Sequence, residues 1–125
     1  FSMMEKMNRV QLAKWGENIA RIYLENQKIQ ILTINFRTRH GEIDIIGKEN
    51  EDIVFIEVKT RSSKTFGFPE EAVDQRKIAK IELVANEYLD LNQMDDTNWR
   101  IDTIAIIRNP YNGKFELEWF KNVGY

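Results

Sequence analysis

Two short apolar runs, Gly41-Glu42-Ile43-Asp44-Ile45-Ile46-Gly47 and Ile53-Val54-Phe55-Ile56-Glu57-Val58-Lys59, stand on either side of five polar residues. Their length, β-branched content and polar boundaries read as two strands joined by a hairpin turn. The second run is apolar on both faces up to Glu57, the pattern of a central strand. Each run nevertheless carries an acid where a core residue is expected, and a buried carboxylate is costly unless its charge is compensated. A turn of even length centred between Asn50 and Glu51 sets Asp44 opposite Glu57 on one face, with Cβ atoms roughly 5 Å apart. Lys59 shares that face because strand side chains repeat every second residue. Glu42 falls there too, one pleat along. An odd-length turn would break the arrangement.

The rest of the chain alternates helix and strand signals. Residues 8–26 read as an amphipathic helix with Leu12, Trp15, Ile19, Ile22 and Tyr23 on its apolar side, and no clear N-cap marks its start. Ile29 to Arg37 reads as a strand, followed by strands over 42–47 and 53–60. Arg61 to Phe68 is rich in Ser, Thr, Lys and Gly and reads as a mobile loop. A second helix carries Ile78, Ile81, Val84, Ala85, Tyr88 and Leu89 at helical spacing. Pro69 suits its first position, while Asp74 is the better N-cap for its regular part. Trp99–Ile107 and Lys114–Phe120 read as two last strands, joined through the turn signal Asn109-Pro110-Tyr111-Asn112-Gly113. The order is αβββαββ, an α/β arrangement in one domain over 4–125. Phe1-Ser2-Met3 reads as a cloning remnant before Met4.

Composition narrows the class. With 125 residues, 42% hydrophobic and 30% charged, the chain suits a soluble globular domain. Cys is absent, which excludes disulfides, thiolate nucleophiles and Cys-ligated zinc. No apolar run approaches the roughly 20 residues of a membrane span, and the first residues lack a signal-peptide core. A cytoplasmic location with no membrane partner is expected. A net charge of −2 does not by itself announce nucleic-acid binding. Arg37, Arg39, Lys59, Arg61, Lys64, Arg76, Lys77 and Lys80 nevertheless flank the acidic strands; the alternative is an ordinary mixed surface.

Two carboxylates and an ammonium on one face suit a hard divalent cation. Mg²⁺ takes one or two protein carboxylates and keeps water and substrate phosphate in its other positions. Such an ion activates water and stabilises charge on an attacked phosphate, and a lysine neutralises charge that develops there. A lone Glu-x-Lys is a weak signal; an Asp in the adjoining apolar strand strengthens it. The competing explanation is a solvent-facing salt bridge of Glu57 with Lys59, or of Lys59 with Asp44, worth little stability.

Gly41-Glu42-Ile43-Asp44-Ile45-Ile46, then Phe55-Ile56-Glu57-Val58-Lys59-Thr60-Arg61, then Ala72-Val73-Asp74 with Arg76-Lys77 together resemble the bacterial YraN-like family of predicted endonucleases. That family is related to archaeal Holliday junction resolvases and to the restriction-endonuclease-like fold. The resemblance spans nearly the whole chain. It implies a central mixed five-stranded sheet with helices on both sides and a Mg²⁺-dependent nuclease centre, with Mn²⁺ as a substitute. Carried over, Asp44 and Glu57 are metal ligands with the Val58 carbonyl as a third, and Lys59 is the catalytic lysine. Ile43 stands where the nuclease motif has proline. The resemblance also brings Glu17 of the first helix toward the metal. Glu17 sits at the edge of the apolar arc; its alternative is a pair with Arg21, one turn on. Gly16 beside it either allows close packing of the helix on the sheet or is simply tolerated at a modest cost.

Arg61, Lys64, Arg76 and Lys77 are candidates for contact with the DNA backbone, the last two near a helix start. His40 is a turn residue that could carry a proton or touch phosphate. Asp102 interrupts an apolar strand and suits a structural pair with Arg100. Trp99, Trp119 and Phe120 suit core or interface roles. The expected activity is metal-dependent hydrolysis of DNA, branched or otherwise structured, by a homodimer as in resolvases. The competing classes are a non-catalytic nucleic-acid-binding module that retains the fold, and a protein-interaction domain.

Overall fold

A computed structural model of the chain describes residues 6–62 and 74–124. The elements are α1 (Arg9–Asn26), β1 (Gln30–Thr38), β2 (Gly41–Glu49), β3 (Asp52–Arg61), α2 (Gln75–Leu91), β4 (Trp99–Arg108) and β5 (Phe115–Phe120). They form one mixed sheet in the order β1-β2-β3-β4-β5. Only β3 and β4 run parallel, with α2 in the connection between them; the other neighbours are antiparallel. This is the αβββαββ arrangement implied by the sequence and by the family resemblance.

The two helices cover opposite faces, so β3 is buried from both sides. Ile53 and Phe55 join Ile43, Ile46 and Ile101 under α2. Val54 and Ile56 join Ile45, Ile104 and Ile106 under α1. The apolar run at 53–56 therefore records two cores rather than one. Gly16 fixes the height of α1 above β3. A Cβ there would lie 1.9 Å from Thr60 Oγ1, so only glycine lets the helix approach this closely.

Both helix starts are set by side-chain caps. Asp74 accepts from the amides of Arg76 and Lys77, which starts the regular part of α2 where its polar residue stands. Pro69 lies outside the described residues. The start of α1 is a capping box that the sequence reading did not find. Asn8 accepts from the Gln11 amide at 2.8 Å, and Gln11 Oε1 accepts from the Asn8 amide at 3.0 Å.

The hairpin between β2 and β3 is tighter than the polar stretch 48–52 suggests. Glu49 pairs with Asp52, leaving Asn50 and Glu51 as the turn, with Asn50 at a left-handed φ of 54°. From there the ladder runs to Ile45 opposite Ile56 and ends. Strict alternation in β2 also fails at this place. Ile45 packs under α1, whereas Ile43, two residues away, packs under α2. Across from the break, β1 pairs Ile34 with Ile45 and Phe36 with Ile43, and the intervening Asn35 has a φ of 54°. Asp44 sits at this irregularity, where β2 leaves β3.

Candidate active site

The site forms where the sheet stops being regular. Beyond Ile45 and Ile56 the backbone ladder is replaced by a side chain: Asp44 Oδ2 accepts from the Val58 amide at 2.7 Å. Direct strand pairing of Asp44 with Glu57 is thus one step short of what an ideal hairpin gives. The two acids still meet. Both line a cavity of 190 Å³ with Glu42, Lys77, Lys80 and Ile81, between the divergent strands and the first turns of α2.

Glu57 is the deepest member, with 1% of its surface exposed. Its Oε2 lies 2.7 Å from Lys77 Nζ. That short charge-assisted contact is its one partner among the described residues, and Oε1 has no hydrogen-bond partner there. Such an arrangement is expensive for a buried charge, which normally keeps its full set of hydrogen bonds. Thr103, its register neighbour on β4, also has a buried hydroxyl with no hydrogen-bond partner among the described residues. Nothing in the sequence singles out Thr103.

Charge reinforces the picture. Burial raises the Asp44 pKa to about 7; repulsion from Glu17 and Glu57 adds to this, while the Val58 amide and Lys77 oppose it. Glu17 is raised as well, first by burial and then by Glu42, against Lys14 and a hydrogen bond with Asn35. For Lys77, partial burial works against its charge, but Glu57, Asp44 and Asp74 outweigh it and hold the ammonium above its ordinary range. Asp44 and Glu17 therefore hold protons more tightly than free carboxylates do.

The sequence candidates separate in space. Glu17 does not pair with Arg21, which instead holds Glu25 and Asn18. It lines a neighbouring cavity of 720 Å³ with Arg9, Lys14, Asn35, Arg37 and Glu42. Glu42 is common to both cavities and is held by Arg37. Lys59 is half-buried beyond Glu57, and its charge reaches Asp74. The ammonium found on Glu57 is that of Lys77, which the sequence reading assigned to the DNA-facing surface. A signal for it existed: Lys77 stands one and two turns before Ile81 and Val84 on the buried face of α2. Arg76 is exposed and Arg61 half-buried. Lys64 lies outside the described residues, as does most of the expected loop.

Other candidates take structural positions. His40 Nδ1 lies 3.0 Å from Glu87, which also accepts from the Thr38 hydroxyl. Asp102 binds Arg100, as expected. Trp99 packs edge-on against Phe55, and Trp119 against Tyr23.

Among the described residues no group of three acidic or imidazole side chains is arranged to hold a metal ion. Asp44 and Glu57 nevertheless suit Mg²⁺, which needs only one or two carboxylates. The unpartnered Oε1 of Glu57 is the kind of donor atom such an ion takes.

A family model described as Uncharacterised protein family UPF0102 matches residues 16–106. The chain belongs to the UPF0102 family. A UPF0102 protein of Clostridium acetobutylicum is 40% identical over 95% of this chain and 97% of its own length. One from Alkaliphilus oremlandii is 50% identical over 73% of this chain and 80% of its own length. One from Caldicellulosiruptor saccharolyticus is 36% identical over 93% and 98%. This is the YraN-like family that the strand motifs resemble. The UPF0102 match contains Glu17, Asp44, Glu57, Lys59 and Lys77. Among the described residues no helix is long and apolar enough to cross a membrane.

Proposed function

We propose that this UPF0102 chain is a divalent-metal-dependent nuclease that hydrolyses phosphodiester bonds in DNA, with branched or structured duplex as its preferred substrate. The observation that carries the reading is Glu57, a carboxylate buried in the central strand whose Oε1 has no hydrogen-bond partner among the described residues, beside a second acid in one cleft. A fold has no structural use for that arrangement; a cation site does. Asp44 and Glu57 would hold Mg²⁺ or Mn²⁺, with the Val58 carbonyl as a further oxygen. Bound there, the ion supplies an activated water and charge stabilisation at the phosphate.

The chain's own residues do the rest. Asp44 is fixed by the Val58 amide, so its other oxygen faces the cleft from a set position. Lys77 and Lys80 line the same cleft and attract a phosphate that would otherwise be repelled by the acids. Lys59 stabilises charge on the attacked phosphate, and Glu17 contributes from α1 through its field on Asp44. Arg61, Lys64 and Arg76 neutralise the DNA backbone, and two copies of the chain address the two strands of a junction.

The test is cleavage of duplex, single-stranded and four-way-junction DNA with Mg²⁺ or Mn²⁺, against EDTA. Metal-dependent cleavage should fall about 100-fold or more in Asp44→Ala and in Glu57→Ala protein. Unchanged activity in either variant would move the chemistry elsewhere. DNA binding without turnover, and without stabilisation by metal, would make the chain a binding module.

A further inference from the structure

We propose that Lys77 is a resident counter-cation of this centre, which a divalent ion must displace from Glu57 in order to bind. The inference rests on the metal-centre reading above and adds a residue to it. Glu57 and Lys77 form an unequal pair. Glu57 is 1% exposed on the central strand and cannot leave, whereas the Lys77 side chain is 54% exposed on the first turn of α2. Their contact is 2.7 Å long and involves Oε2 alone, so half of the carboxylate is left without a partner among the described residues.

An ammonium is a poor permanent partner here. It brings one positive charge to a cleft that holds Asp44 as well as Glu57, and it leaves Glu57 Oε1 without a hydrogen-bond partner among the described residues. A divalent ion brings twice the charge and binds both acids. The lysine stem is flexible and its ammonium strongly hydrated, so withdrawal toward solvent costs little. Asp74, the N-cap three residues earlier, also favours the Lys77 charge electrostatically. Withdrawn, the ammonium remains at the mouth of the cleft beside Lys80, where a substrate phosphate enters. The pair thus keeps Glu57 compensated in the metal-free protein and makes metal affinity depend on where Lys77 points.

Calorimetric titration of Mn²⁺ into the full chain tests this. Lys77→Met keeps the stem and removes the competitor, and should bind about tenfold tighter if the wild-type site is free of Lys77 for about a tenth of the time. Adding Glu57→Gln to that variant should abolish the gain. Equal or weaker binding by Lys77→Met would overturn displacement while leaving the metal centre standing. Absence of binding in every form would overturn both. The wild-type protein gives a second readout that does not depend on a variant folding. The ¹⁵N resonance of the Lys77 ammonium should move from an ion-paired to a hydrated position on titration with Mg²⁺. A resonance unmoved at saturating Mg²⁺ would also overturn the proposal.

Discussion

Asp102 and Glu57 are buried acids on adjacent strands, one register step apart, facing opposite sides of the sheet. On the α1 side Asp102 is completely enclosed, and both of its oxygens are used. Arg100 Nε donates to them at 3.0 and 3.2 Å, Trp119 Nε1 at 2.9 Å and the Asn122 amide at 2.8 Å. Arg100 is itself anchored to Glu49 at 2.8 Å. On the α2 side Glu57 has one ammonium, on a residue that is half in solvent. The donors around Asp102 come from β4, β5 and the segment that follows, all fixed by the fold. The difference separates an acid that the fold uses from an acid that the fold merely tolerates. Burial alone does not distinguish them; the completeness of their hydrogen bonding does.

The largest expected effect lies on the side of the fold. Asp102→Ala strands the Arg100 guanidinium and the Trp119 and Asn122 donors, and should lower stability by about 3–5 kcal/mol. A urea denaturation midpoint measures it. A loss below about 1 kcal/mol would show that the Asp102 network is not structural and would remove the contrast.

The next effect is on the side of the cleft and depends on pH. Asp44 is raised from 3.8 to about 7, chiefly by burial. Its folded value lies above its unfolded one, so the cost of ionising it is absent below pH 3.8. That cost grows as the pH rises between the two values and is complete above about 7. Asp44→Asn retains an oxygen for the Val58 amide but has no charge to lose. In EDTA it should match wild type near pH 3.5 and exceed it by about 1–4 kcal/mol near pH 8. Paired urea curves at the two pH values give the answer. A difference that does not change with pH would mean that burial does not penalise this carboxylate.

Much of this contrast can be read in the chain, and what cannot be read has physical causes. The acid positions in β2 and β3 and the Asp102–Arg100 pair follow from strand period and polarity. The polar turn between the strands is legible too, but its two-residue length is not, and neither is the contact that makes Gly16 necessary against β3. The parting of β2 from β3 at Asp44 is not legible either; it lies opposite the left-handed Asn35 of the neighbouring strand, and no residue of the acidic hairpin itself marks it. Lys77 reads from the sequence as a DNA-backbone contact near a helix start, although its spacing to Ile81 and Val84 puts it on the buried face. Which ammonium meets Glu57 is settled by how α2 lies on the sheet, and that is a tertiary fact. Thr103 becomes visible only once β4 is known to run parallel beside β3.

The smallest effect is the sharpest test of the comparison. Glu57→Gln removes a buried charge and releases Lys77 to water, leaving a neutral amide of nearly the same shape. The carboxylate gives up one contact, that with Lys77, and the lysine has solvent available. In EDTA the variant should stay within about 1 kcal/mol of wild type, or gain slightly, where the same kind of change at Asp102 is costly. The metal then divides the two proteins. Saturating Mg²⁺ stabilises wild type in proportion to the logarithm of its concentration over Kd, and should leave Glu57→Gln almost unmoved. A Glu57→Gln protein as damaged as Asp102→Ala would place Glu57 among the acids the fold needs. A Glu57→Gln protein stabilised by Mg²⁺ as strongly as wild type would place the ion on other ligands.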